Sequence, residues 1–503
     1  MLPHFARLLT IIYAFLATLI ILLVVRDFHQ RHTHTYFPES DIQGAFYAEQ
    51  VLKSDSVHNA NPILLKAPSD YDAVQQQPLW CDQRLGLTYL ESLCYSGANY
   101  CTSESQSQLT CFHSQTSKDG RTDAFCLGRG AILDQASSTF QVPCQVTEPK
   151  GIYFHEPGIS IEDFPRYWYE TGPHTILDDF VDLTTRATKD VGPPSPVGQS
   201  SYTILLKREG AGNLWHCLME IMSLSWTIDV LQMSPDPSRQ ESGRAFLTPD
   251  DAFNTQVVIL DDALDGPYFE LWHLFAKKPT LRLAELASGA YVGHIIIPLP
   301  GGSNPVWQSD WEPNNCDRSE LLDTFSRRVL THLNTSDHRQ DPNAPTRQDE
   351  DIVVTFIERR GTRKLVDMDQ HVATLQSLYA HTEIRVLDME TLHLAEQVQS
   401  VRDSDVLVGV HGAGLAHGMW LRRHSVMVEI LPEGFQYRGF RNLAGALGHG
   451  YFSAHGTQAS SGDLNWQTGD VAIDRETIRE LMDVAIKSIY NRGAHNFDVE
   501  RPL

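Results

Sequence analysis

Four short predicted strands follow residue 351, and predicted helices separate them. The strands cover 352–357, 383–387, 406–410 and 426–430, and most of their residues are apolar. Strands with near-continuous apolar runs, alternating with helices, are typical of parallel sheets with helices on both faces. The alternation therefore predicts an α/β fold for the C-terminal part of the chain.

The N-terminal half shows the same alternation of apolar runs and helical segments. A helix is predicted from about residue 214 to 231, after a Gly-rich turn, and residues 318–333 carry apolar side chains at helical spacing. The predicted strands are 202–206, 256–260 and 294–299.

A polar stretch rich in Asp, Pro, Asn and Gln, at 335–351, separates the two halves and indicates a domain boundary near residue 345. We expect two Rossmann-like domains, over 76–345 and 346–503, the second ending in a long amphipathic helix. Ligands of such sheets bind beyond the carboxyl ends of the strands. The cleft between the domains is therefore the expected ligand site.

The N-terminus carries an uncharged apolar segment at 8–25. Eighteen residues of helix span roughly 27 Å, about the thickness of a bilayer's hydrocarbon core. We interpret the segment as a single-pass transmembrane signal anchor with a cytoplasmic tail at 1–7, and a cleaved signal peptide as the alternative. The polar residues 26–75 then form a stem below a lumenal domain.

The cysteines agree with a lumenal location. An even, clustered set in a translocated chain suggests up to three disulfides, with fifteen possible connectivities. A zinc site is the competing interpretation, but the chain has no C-x2-C pair. Cys217 and Cys316 either pair with each other or stay as buried thiols. The clustered candidates, in a Cys-rich segment at 81–144, are Cys81, Cys94, Cys101, Cys111, Cys126 and Cys144.

Net charge limits the class of partner. The chain has 40 Lys and Arg against 63 Asp and Glu, a formal charge of −23. Nucleic-acid binders need basic surface to displace counterions, so we expect no nucleic-acid partner. One local basic site can still bind a phosphate. Asn334 begins the chain's N-glycosylation sequon, as expected for a surface residue of a translocated protein.

The segment VLVGVHGAGL, residues 406–415, leads from a buried strand through a Gly-rich turn into a predicted helix. Glycine lets the backbone approach a ligand, and a helix N-terminus presents N–H groups to a diphosphate. A tight turn without a ligand is the alternative, and an esterase oxyanion loop lacks its G-x-S-x-G partner here. The candidate binding residues are His411, Gly412, Ala413, Gly414 and Leu415.

Two further features follow neighbouring strands of the same half. Four cations lie within 358–364, among them Arg359 and Arg363, whose guanidinium groups match phosphate oxygens. Glu429 lies at the end of an apolar strand, where a carboxylate commonly accepts from ribose hydroxyls. A solvated basic loop and a solvent-facing Glu are the structural alternatives.

The helix of the N-terminal half begins after Asn213, a good N-cap. His216 and Glu220 are four residues apart and share one helix face, so they can supply a general base and its orienting partner. A half-buried His with a local ion pair is the alternative. Asp261 and Asp262 follow a predicted strand and can instead hold Mn²⁺ or Mg²⁺ for a diphosphate.

These motifs together resemble glycosyltransferase family 61, in order and spacing, from about residue 150 to 450. Relatives are expected to carry Asp where this chain has Glu220. The chain ends without a KDEL-like signal, which favours the Golgi over the endoplasmic reticulum. The residues that carry the resemblance are Asn213–His216 with Glu220, Arg359–Lys364, Gly409–Leu415 and Glu429–Pro432.

The resemblance implies a GT-B fold, a UDP-sugar donor, inversion at the anomeric carbon and no required metal. By that resemblance residues 76–345 bind the acceptor, with Asn213 on that side, and residues 346–503 bind the nucleotide sugar. The expected reaction transfers a sugar, GlcNAc or xylose, to a glycoprotein or polysaccharide in the secretory pathway. His216 and Glu220 both remain candidates for the base. A metal-dependent transferase using Asp261 and Asp262 and a non-catalytic lumenal glycan- or nucleotide-binding protein are the alternatives.

Overall fold

A computed structural model describes the chain from Leu65, where a compact unit begins, to residue 498. The predicted tail, membrane anchor and most of the stem, 1–64, lie outside the described residues, as does the predicted boundary near 345. No helix in the described ranges is long and apolar enough to cross a bilayer. Those ranges are 65–72, 77–114, 123–134, 136–153, 158–167, 169–183, 201–210, 212–238, 243–286, 291–335, 352–458, 467–490 and 497–498.

The C-terminal half contains a six-stranded parallel sheet, which confirms the strands predicted from the apolar runs. The strand order is β12-β11-β13-β14-β15-β18. The strands are β11 (Ile352–Glu358), β12 (Thr382–Asp388), β13 (Val406–Val410), β14 (Val426–Leu431), β15 (Gly450–His455) and β18 (Phe497–Asp498), with β16 (Thr457–Gln458) and β17 (Val471–Ala472) forming a separate small pair.

The N-terminal half contains a larger, mixed sheet ordered β5-β1-β2-β3-β10-β7-β8-β9, with β4 and β6 joined at β3. Its β10-β7-β8-β9 part is parallel, and its β5-β1-β2-β3 part is antiparallel. The strands are β1 (Ala98–Cys101), β2 (Leu109–Ser114), β3 (Asp123–Asp134), β4 (Thr139–Gln141), β5 (Val146–Gly151), β6 (Val181–Asp182), β7 (Tyr202–Leu206), β8 (Thr255–Ile259), β9 (Leu281–Arg282) and β10 (Tyr291–Ile297).

The antiparallel part corrects the prediction that this half is simply Rossmann-like. Strands β1, β2 and β3 lie in the Cys-rich segment, and each pairs antiparallel with the next. Antiparallel neighbours need only short connections between them. The antiparallel strands of this segment join the parallel part of the sheet through the antiparallel pair of β3 and β10.

Helices cover both sheets and lie between them. Helices α1 and α2 precede the first sheet, α3 to α6 belong to the N-terminal half, and α7 to α10 to the C-terminal half. They are α1 (Leu79–Leu85), α2 (Leu87–Tyr95), α3 (Gly172–Phe180), α4 (Leu214–Met233), α5 (Pro305–Gln308), α6 (Glu320–His332), α7 (Met368–Leu378), α8 (Leu394–Arg402), α9 (Gly439–Ala446) and α10 (Arg475–Tyr490).

Helix α4 is buried on nearly every side, as expected of a helix at the centre of a large core. Asn213 is its N-cap, as predicted, and its side chain accepts a hydrogen bond from the Trp215 N–H. The helix contacts the segment Ala413–Trp420, which follows the HGAG turn of the other half. One continuous apolar core therefore includes side chains from both halves.

The disulfides differ from the predicted set. Cys101 pairs with Cys144. Cys111 pairs with Cys126, and this disulfide joins strand β2 to strand β3. Cys81 pairs with Cys316, 235 residues away, which ties α1 to the loop before α6. The prediction that Cys94 joins the set is wrong, because it is a buried thiol on α2, and Cys217 is also a buried thiol. Of the two alternatives for Cys217, the buried thiol is confirmed and the pairing with Cys316 is excluded.

The described residues before α1 are part of the folded unit, which corrects the prediction that the stem extends to residue 75. Arg328 of α6 donates to Asp70 in this segment and to both carboxylate oxygens of Asp229 on α4. The Tyr71 hydroxyl donates to the same Asp229 at 2.6 Å. A buried ion pair thus holds the start of the domain against two helices.

Replacing Arg328 with alanine is expected to lower the free energy of unfolding by about 3–5 kcal/mol, because Asp229 then stays buried without its cation. Urea unfolding followed by tryptophan fluorescence measures the change. The neighbouring Arg327 pairs with Asp72 in solvent, so Arg327→Ala is the matched control and should cost at most about 1 kcal/mol. Equal losses for the two variants would contradict a special role for the buried pair.

Candidate functional site

The ends of strands β11 and β13 bring the basic loop to the HGAG turn, as the sequence predicts. The guanidinium groups of Arg359 and Arg363 both lie at Gly412: a β-carbon there would be 2.4 Å from Nη1 of Arg359 and 3.3 Å from Nη2 of Arg363. Gly412 also has φ 155° and ψ 173°, which is essentially restricted to glycine. The residue type at this position is thus determined by the two arginines and by the backbone.

The two arginines have no acidic partner in the part of the chain that the structure describes. Arg359 donates through Nε to the carbonyl of Thr362, and the Nε of Arg363 is buried without a hydrogen bond. Burial, together with the neighbouring Arg359, lowers the pKa of Arg363 to about 10. Arg363 also has φ 55°, an uncommon conformation for a residue with a side chain. Two half-buried cations without counter-ions form a site for an anion.

The rest of the HGAG motif divides into site and core. Ala413–Trp420 forms a 3₁₀ helix at the position where the sequence predicts a helix. Ala413 and Gly414 are half-buried and follow Gly412, where the two arginines lie. Leu415 is buried, and both Leu415 and Ile357 lie against Gly409. Leu415 therefore packs in the core rather than at the predicted donor contact.

Glu429 and His411 form a buried pair at the ends of adjacent strands. Nδ1 of His411 is 2.6 Å from Oε1 of Glu429, and the Tyr451 hydroxyl donates to Oε2 at 2.5 Å. Glu429 is 1% exposed. This corrects the expectation that Glu429 accepts from a ribose, because protein groups occupy both oxygens. Its role in the structure is to orient His411.

His216 and Glu220 lie on one face of α4, but a third residue connects them. Glu209 lies 3.5 Å from Nδ1 of His216 through Oε2, and its Oε1 accepts the Gly302 N–H at 3.0 Å. The Glu209 N–H in turn donates to Oε1 of Glu220 at 2.7 Å. The sequence alone does not identify Glu209 as a site residue. Its position just after strand β7 is the one signal that could have marked it as a candidate.

The two glutamates differ in what they can do. Burial and the charge of Glu209 raise the pKa of Glu220 well above its usual range. Glu220 is 4% exposed, and its Oε2 has no hydrogen-bond partner. His216 is half-buried, with its ring edge-on between the rings of Tyr169 and Trp307. His216 can thus meet a ligand, whereas Glu220 cannot.

Aromatic side chains connect the two sets of candidate residues. Trp215 packs against Tyr437 and Phe440, and both of these rings contact His411. Tyr437 also hydrogen-bonds Asp310, whose pKa burial raises to about 7. Asp310 and Tyr437 come from loops with no motif, so sequence reasoning missed them.

The alternative metal site is not supported by the arrangement of its aspartates. Arg208 donates to both carboxylate oxygens of Asp261, at 2.8 Å and 3.1 Å. Although burial opposes it, these hydrogen bonds hold the pKa of Asp261 below its usual value. Asp261 is therefore engaged by an arginine. No group of three His, Cys, Asp or Glu side chains suited to a metal occurs among the described residues.

Comparison with known proteins identifies the matching region. The EGF domain-specific O-linked N-acetylglucosamine transferase of Drosophila melanogaster is 24% identical over 45% of this chain and 40% of its own. The protein O-linked-mannose beta-1,4-N-acetylglucosaminyltransferase 2 of Takifugu rubripes is 22% identical over 58% of this chain and 50% of its own. The chain thus spans half or less of the length of these two relatives.

A solved structure of a glycosyl transferase family 9 protein from Veillonella parvula aligns with 57% of this chain and 97% of its own, at 8% identity and a TM-score of 0.23. The sequence model of the family Glycosyltransferase 61 matches residues 215–428, a span that includes His216, Glu220, both arginines and the HGAG turn. Over this span the chain is therefore similar to glycosyltransferase family 61.

Proposed function

We propose that the protein is an inverting glycosyltransferase that transfers a sugar from a UDP-sugar to a hydroxyl group of a glycoprotein or polysaccharide. The observation that carries the proposal is the pair of arginines at Gly412, which are half-buried and form no ion pair within the described residues, although the charge of Glu390 acts on Arg359. The diphosphate of a nucleotide sugar supplies the charge they lack. The named relatives, which are N-acetylglucosaminyltransferases, favour GlcNAc as the donated sugar, with xylose as the second candidate.

The same arginines explain how the leaving group is stabilised. Negative charge develops on the diphosphate as its bond to the anomeric carbon breaks, and fixed cations stabilise that charge in the transition state. Arg359 and Arg363 serve this purpose, with Gly412 allowing the diphosphate to approach the backbone. In this proposal no metal ion is required.

His216 serves as the general base of the proposed reaction. It accepts the proton of the acceptor hydroxyl, whose oxygen bonds to the anomeric carbon while the carbon–diphosphate bond breaks and UDP leaves. Oε2 of Glu209 lies 3.5 Å from Nδ1, where its negative charge favours a proton on Nδ1 and leaves Nε2 to accept the proton of the acceptor. Glu220 is only 4% exposed, so it is poorly placed to take a proton from an acceptor hydroxyl.

The predicted location completes the proposal. Three disulfides suit an oxidising compartment such as the secretory pathway. The apolar segment at 8–25 serves as a single-pass membrane anchor, and the Golgi is the proposed compartment.

Release of UDP tests the proposal directly. Full-length protein in detergent is incubated with a panel of UDP-sugars and candidate acceptors, with and without EDTA. We expect one donor to release UDP at an unchanged rate in EDTA. Loss of release in EDTA would contradict metal independence, and no release by folded protein with any donor would favour a non-catalytic binding protein.

A further inference from the structure

Large aromatic side chains are exposed beside the proposed base and beside the rings that contact His411. Tyr169 is 46% exposed and Trp311 is 58% exposed, although each side chain has apolar area that burial would stabilise. The ring centroids of Tyr169 and of the half-buried Trp307 lie 5.3 Å and 4.5 Å from that of His216. Exposed apolar patches beside a reactive group commonly mark a ligand-binding surface.

Trp311 is held in place from the protein side. Its ring contacts Phe435 at 5.5 Å and Tyr437 at 5.6 Å, with interplanar angles of 77° and 89°. Both of those partners are buried and contact His411. A ring supported in this way loses little conformational entropy when a ligand covers its exposed part.

Polar groups lie next to these rings. Glu170 follows Tyr169 in the chain, and the Lys207 ammonium lies 3.9 Å from its carboxylate and donates to its carbonyl. A purely apolar ligand would remove this pair from water without replacing its hydrogen bonds, which costs free energy. A pyranose has an apolar C–H face for an aromatic ring and hydroxyl groups for charged neighbours.

We propose that Tyr169, Trp307 and Trp311 form an acceptor subsite that holds a pyranose ring beside His216. The inference rests on the proposed function, since it names the acceptor of that reaction as a carbohydrate rather than a bare Ser or Thr side chain. The C–H face of the sugar stacks on an aromatic ring, and one of its hydroxyls is directed at the His216 imidazole.

Binding of simple glycosides tests the subsite without requiring turnover. Full-length protein with saturating UDP is titrated with methyl xylopyranoside, methyl mannopyranoside and methyl N-acetylglucosaminide, followed by saturation-transfer NMR. We expect at least one to bind, and Trp311→Ala and Tyr169→Ala each to weaken that binding by about tenfold, a change of ~1.4 kcal/mol. Trp311→Phe should retain most of the affinity.

Phe253 provides the control, because it is another exposed aromatic residue and precedes the start of β8, at the sheet edge opposite the one where β7 leads to Glu209. Phe253→Ala should leave glycoside binding unchanged, and UDP affinity should be equal in all variants. Equal glycoside binding by Trp311→Ala and the wild type, or binding only of a Ser/Thr peptide, would overturn the subsite. Failure of the proposed transferase would appear separately, as absent UDP release with glycoside binding intact.

Discussion

Arg363→Ala is expected to reduce glycosyl transfer by about a hundredfold to a thousandfold, the loss seen when one fixed group that stabilises transition-state charge is removed. The substitution should not lower the stability of the fold, because Arg363 and Arg359 repel each other at Gly412 until an anion binds. We therefore expect a melting temperature equal to or above that of the wild type. Initial rates of UDP release and thermal unfolding of the same preparations measure both effects.

Arg360 offers the control for this variant, since it lies in the same loop but pairs with Glu358 and Asp388 in solvent. Arg360→Ala should change the rate by less than about threefold, as exposed ion pairs contribute little. If Arg363→Ala keeps wild-type turnover, or loses turnover only by unfolding, the assignment of the diphosphate site is wrong.

The location of the proposed donor-site residues was largely predictable, because parallel strands place their carboxyl ends along one edge of the sheet. Strands β11 and β13 are neighbours, so the basic loop and the HGAG turn necessarily lie together. The role of Glu429 was not predictable in the same way. Its partner Tyr451 is on the next strand, β15, and only the register shows that both oxygens are occupied.

The contacts around the proposed acceptor site were less predictable, because their residues come from segments far apart in the sequence. Glu209 reaches His216 across the start of α4, and Asp310 reaches Tyr437 from the other half of the chain. Periodicity describes single elements and carries no information on such contacts. The Cys81–Cys316 disulfide escaped prediction for the same reason, since spacing alone does not select connectivity.

His216→Ala is expected to lower the transfer rate by about a hundredfold to ten-thousandfold, the usual contribution of a positioned general base. UDP affinity should be unchanged, because His216 is on the acceptor side. Added imidazole should restore part of the activity, which a structural role would not allow. Steady-state kinetics with acceptor in excess, with and without imidazole, measure the effect, and His381→Ala, an exposed histidine before strand β12, serves as the control.

Glu220→Gln separates the two candidate bases. Because Glu220 is buried and a glutamine oxygen can still accept the Glu209 N–H, we expect the rate to stay within about threefold of the wild type. Glu209→Gln should instead reduce turnover more than it changes acceptor affinity, since Glu209 positions His216. The opposite pattern, an inactive Glu220→Gln and an active His216→Ala, would assign the base to Glu220 and show that its carboxyl is ionised when the acceptor is bound.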